Sequence, residues 1–266
     1  MRCPHLGLAP LLAAPRLLTH LPPRRTLFLR SLLYPPRSRS SGPPYQHMVQ
    51  LGDPVLRAPC SLVKQEDFDN PVFTRLLANM EAALTRYDAV GVSAPQLGVP
   101  LRVSMARLTA AQLQFWSEDV RRRQQMEEIP LKVIINPVMT VVDSSEVTAR
   151  ESCCSMAGYS ALVPRAREVR LVGLNPAGQP VQWEARGWAA RIAQHEQDHL
   201  AGKMFIDRAH IESLECDYWN IVNSRHGDFR LGFQGQKVWI AAKIIYLIDL
   251  NFAAFIYETS NEALEF

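Results

Sequence analysis

Apolar residues recur every three or four positions over residues 70–87, placing Phe73, Leu76, Leu77, Met80 and Leu84 on one face. Asn70 supplies a helix N-cap and Pro71 a preset first turn, so the pattern predicts a helix to Tyr87. VGVSAPQLGVP, residues 90–100, is too rich in Gly and Pro for a helix and reads as a loop or short strand. RVSMAR (102–107) reads as a strand, and residues 109–126 as a surface helix leading into the solvated charge run EDVRRRQQMEE.

The middle of the chain is β-branched. LKVIINP, MTVVDS, EVTARE, SALVPR, EVRLVGL and PVQWEAR are short runs split by Pro, Asn, Gly and Ser, which predicts antiparallel meanders. Helical period returns in GWAARIAQHEQDHLAGKMF, residues 187–205. The expected fold class is α+β: small antiparallel sheets packed around a central helix that carries His-Glu-x-x-His.

The ends differ from this core. Residues 1–52 contain seven Arg, nine Pro, no Lys and no acidic residue. That composition is expected of a mitochondrial transit peptide over residues 1–47, the alternatives being a disordered basic tail or a secretory signal. Residues 224–266 form an atypical tail whose apolar stretch 238–257 has the length of a membrane span. Lys243, Asp249 and Asn251 interrupt it. A central charge costs about 2.5–3.5 kcal/mol against about 0.3–0.6 kcal/mol gained per Leu, Ile or Phe, which favours a packed or dangling amphipathic helix over a span, disorder being the other alternative. The net charge of +3 points to no direct nucleic-acid partner. Five cysteines are too few for a disulfide scaffold, and a vicinal Cys153–Cys154 bridge is strained, so free thiols are expected.

Chemistry concentrates in two stretches. HEQDH, residues 195–199, spaces two histidines so that one helix face presents both imidazoles to a single ion, with Glu196 beside them as a candidate general base. Surface histidines in salt bridges are the plainer alternative. A third ligand is sought downstream in His210, Glu212 or Glu215, or upstream in ESCCS, where a thiolate is a soft, strong donor.

GVSAPQLG (91–98), ESCCS (151–155) and QHEQDHL (194–200), in this order and spacing, resemble the three signature motifs of peptide deformylases. LGDPVLR, INP and GWAARIAQHE resemble the animal mitochondrial branch, and the likeness covers residues 48–223. The resemblance implies one divalent ion, Fe2+ with Zn2+ or Co2+ as substitutes, held by Cys153, His195 and His199. It implies Glu196 as general base and acid, with Gln96 and the Cys154 backbone N–H as oxyanion donors. Gly91 and the strand around Arg150 would bind the peptide. The implied reaction removes the formyl group from N-formylmethionyl peptides made by mitochondrial translation, in the mitochondrial matrix; a homodimer is left open. Ser152 stands where the family usually has Gly, Met156-Ala157 replaces a common apolar-Pro step, and Ser160 replaces an Arg of many bacterial members. Another metallopeptidase with a Cys ligand, or a catalytically weak metal-stabilised binding module, are the rival readings.

Overall fold

The computed structural model describes residues 42–233. Helix α1 spans Pro71–Arg86; the Asn70 side chain caps it by accepting from the Val72 N–H, and Tyr87 closes it. Of the apolar face read from periodicity, Phe73, Leu76, Met80 and Leu84 are buried, and Leu77 packs at the margin of the same cluster. Each such side chain contributes about 1.5–3 kcal/mol of burial, enough to fix the helix against β1 and β2.

The strands are β1 (Gly91–Ser93), β2 (Val103–Leu108), β3 (Ile129–Cys153), β4 (Met156–Leu174), β5 (Pro180–Arg186) and β6 (Glu215–Cys216). They form one antiparallel six-stranded sheet in the order β1-β2-β3-β4-β5, with β6 added to the end of β4. The expected set of small sheets is therefore corrected to a single sheet. The breakers that suggested separate strands are absorbed as bulges: the β3–β4 register shifts between Ile135 and Val138, and again around Asp143. Asn136 takes φ 53°; its N–H donates to the Arg102 carbonyl at 2.7 Å, and its side chain pairs with both backbone groups of Val63 at 2.8 Å each.

The single surface helix expected over 109–126 is also corrected. It is two short helices, α2 (Ala110–Leu113) and α3 (Glu118–Arg123), because the Ser117 side chain accepts from the Val120 N–H and starts a new helix. Trp116, in the break, packs on Trp188 with ring centroids 6.0 Å apart.

Helix α4 spans Trp188–Leu200. Ala190 and Ala193 let it lie close on Val169, Leu171 and Ala185 of the sheet, while Ile192 faces Leu108 and Ile129. It ends where Gly202 adopts φ +71°, a position at which a Cβ would stand 2.7 Å from the Arg57 carbonyl. The last helix among the described residues, α5 (Trp219–Ser224), is followed by residues that stay on the domain: Phe229 lies against Tyr218, and the Phe233 carbonyl accepts from the Tyr87 hydroxyl at 2.9 Å. No helix among the described residues is long and apolar enough to cross a membrane. The stretch 238–257, Cys3 and the basic segment 1–41 lie outside the described residues.

Candidate active site and metal centre

The two adjacent cysteines straddle a hairpin tip. Cys153 ends β3 and pairs with Met156, so Cys154 and Ser155 are the two turn residues. Cys153 is thereby buried against the sheet, while Cys154 is half-buried. The N-terminal segment pins this turn: Leu51 N–H donates to the Ser155 carbonyl at 2.7 Å, and Gln50 Nε2 to the Cys154 carbonyl at 2.9 Å. Ser152 is exposed and keeps its ladder partner Ser160, so its side chain points away from the core.

Helix α4 brings its histidines to the same place. Their separation of four residues puts both on one face, with ring centroids 5.0 Å apart. Cys153 Sγ lies 3.3 Å from His199 Nε2, and one donor atom each from Cys153, His195 and His199 lie within 4.8 Å of one another. A thiol and two imidazoles at that spacing fit the ligand set of a four-coordinate divalent cation with one position left open.

His195 is oriented from behind: its Nδ1 is 3.0 Å from Glu151 Oε2. Glu151 in turn receives the Arg165 guanidinium at 2.9 and 2.8 Å and Arg191 at 2.7 Å. Arg165 continues to Asp198, which also accepts from Arg208. Burial alone would raise the Glu151 carboxyl, but Arg165 and His195 outweigh it and hold it well below the usual range. Such a network keeps every buried charge paired and fixes the ring that faces Cys153.

Glu196 follows on the same helix, 4% exposed, and burial pushes its carboxyl up to about 7 against the lowering influence of His195 and Ser93. Ser93 Oγ lies 2.6 Å from Glu196 Oε2. Gln96 sits in the 3-10 turn Ala94–Leu97; the Ser93 N–H donates to its Oε1 at 2.9 Å, which leaves Nε2 3.5 Å from Cys153 Sγ and 3.3 Å from Ser155 Oγ.

Of the eight residues expected from sequence, Gly91, Gln96, Arg150, Cys153, Cys154, His195 and Glu196 line one cleft of about 630 Å³. His199 stands behind it, 1% exposed. Residues 149–153 of β3 pair with β4 on one side and line this cleft, where Arg150 is held by Glu215 at 3.0 Å and by Ser160 Oγ and the Ser213 carbonyl at 3.3 Å. Gly91 has a reason beyond that expected: the space its Cβ would fill is taken by the Glu196 carboxylate. Glu151, within a motif, and Ser93 were not singled out from sequence, because their roles are contacts between motifs rather than spacings within one.

The sequence profile described as polypeptide deformylase matches residues 45–214. The chain belongs to that family. Among similar proteins, the mitochondrial peptide deformylase of Homo sapiens is 43% identical over 194 residues, 73% of this chain and 78% of that protein. Peptide deformylase 1A, chloroplastic/mitochondrial, of Arabidopsis thaliana is 31% identical over 161 residues, 60% of each chain. A Met-Ala-Ser-bound class I type b deformylase of Acinetobacter baumannii has a TM-score of 0.53 and 26% identity, covering 60% of this chain and 96% of that one. The deformylase of Thermotoga maritima has a TM-score of 0.51 at 28% identity, covering 62% and 97%. Peptide deformylases are hydrolases of protein biosynthesis that remove the N-formyl group from nascent peptides.

Proposed function

We propose that this chain deformylates N-formylmethionyl peptides of mitochondrial translation at the Cys153, His195 and His199 centre. The observation that carries this reading is the convergence of those three donors beside the Glu196 carboxylate and the Gln96 amide, all but His199 facing one cleft. The three side chains would hold one divalent ion, ferrous iron on the family's precedent, and such an ion would supply Lewis acidity at this site.

The rest is done by the chain. The peptide lies extended along residues 149–153 of β3, with Gly91 and Arg150 lining the same cleft. Glu196 accepts a proton from the attacking water as the oxygen bonds to the formyl carbon. Gln96 Nε2 and the Cys154 N–H donate to the developing oxyanion. The C–N bond breaks as Glu196 passes its proton to the departing amine, giving formate and a free N-terminal Met. Burial of Glu196 suits a group that must both take and return a proton near neutral pH.

The acid-free, Arg-rich segment 1–47 supports import into the mitochondrial matrix, the catalytic domain being residues 48–223 and residues 224–266 a tail. The test is incubation of the ferrous-loaded protein with formyl-Met-Ala-Ser. Formate and intact Met-Ala-Ser support the reading. Internal fragments would indicate a metallopeptidase, and retained metal without turnover a binding module.

A further inference from the structure

Ser93 is the last residue of β1 and is wholly buried. Two of its groups act in different directions. Its backbone N–H occupies the acceptor of the Gln96 amide at 2.9 Å, so that amide can turn only its donor toward Cys153. Its hydroxyl lies 2.6 Å from Glu196 Oε2 and 3.1 Å from the Glu196 backbone carbonyl. A hydroxyl carries one proton, and the shorter contact with the carboxylate is the stronger use of it.

The other oxygen of Glu196 fills the space above Gly91. The carboxylate is thus boxed between a residue that has no side chain and one whose hydroxyl tethers it. Alanine at position 93 would keep the strand and its packing but release Oε2 to rotate about the Cγ–Cδ bond. That freedom matters for a group that must meet first the water and then the amine from one position.

We propose that Ser93 is a positioning residue for deformylation: its hydroxyl fixes the rotamer of Glu196 while its N–H fixes the Gln96 amide. The inference rests on the roles assigned above to Glu196 and Gln96. Because the N–H survives substitution, the hydroxyl is the half that a variant can test.

The experiment compares full-length, ferrous-loaded wild type, Ser93→Ala and Glu196→Ala with formyl-Met-Ala-Ser, measuring kcat, KM, bound metal and Tm. Ser93→Ala is expected to lose about 10- to 100-fold in kcat with KM within about twofold, as for a misaimed catalytic group. Bound metal and Tm should stay at wild-type values. A kcat equal to wild type overturns the inference, as does a loss that is matched by lost metal or a lowered Tm, since those mark a structural role. An active wild type with an inactive Glu196→Ala shows the reading of the site to stand whatever Ser93→Ala does. An inactive wild type, or an active Glu196→Ala, removes that reading and the inference with it.

Discussion

The Glu196 carboxylate occupies the volume into which a side chain on Gly91 would project. An ideal Cβ built on Gly91 stands 2.9 Å from Glu196 Cδ and 3.1 Å from its Cγ, closer than carbon atoms approach without displacement. Glu196 is buried and tethered to Ser93, so it has little room to yield.

Gly91→Ala should therefore push the carboxylate out of line and lower kcat by about 100-fold, the scale of a shift near 1 Å at a reacting group. Far-ultraviolet circular dichroism should stay unchanged, because Gly91 lies in a three-residue strand whose backbone hydrogen bonds survive. An active, correctly folded variant would show that Glu196 can leave this position freely.

Gln96→Ala removes a donor that lies 3.5 Å from Cys153 Sγ and leaves all three candidate ligand side chains in place. A single oxyanion donor is worth about 10²–10³ in kcat, and that loss is expected here with bound metal unchanged. Steady-state kinetics alongside elemental analysis checks it.

Glu151→Ala leaves Arg191 without its buried ion-pair partner, leaves Arg165 with Asp198 alone, and frees His195 Nδ1. Breaking a buried ion pair on one side costs about 3–5 kcal/mol, a loss readable in urea denaturation. Metal affinity should fall about 10- to 100-fold as the ring loses its orienting partner. Arg150→Ala should behave differently, because its pair with Glu215 is partly exposed. Its stability cost should stay below about 1 kcal/mol, and a raised KM would register its part in peptide binding.

The convergence of the candidate residues was legible because most of them sit in contiguous motifs. The four-residue spacing of His195 and His199 survives any detail of packing, since helix geometry alone puts them on one face. Ser93 and Glu151 escaped because they act across the fold: the first links β1 to α4, the second β3 to β4 and α4. The strand count failed for a related reason. Asn136-Pro137 reads as a break, yet Arg102 pairs with the Asn136 N–H and the Pro137 carbonyl while Val63 holds the Asn136 side chain, and nothing local to the strand announces that rescue. The helix expected over 109–126 was split by Ser117 capping and by Trp116 finding Trp188, two events decided by tertiary contact.

Chelation offers an independent check on the ligand set. If Cys153, His195 and His199 bind one ion only in the folded chain, metal at about 100 times its Kd adds about 2.7 kcal/mol of stability. Tm should fall on chelation, and Cys153→Ser should abolish that response.

The most direct measurement is formate release by wild type and Glu196→Ala, each assayed for bound metal in the same anaerobic preparation. The account predicts about one metal ion per chain in both proteins, with formate produced by the wild type alone. Equal formate release from the two would contradict it.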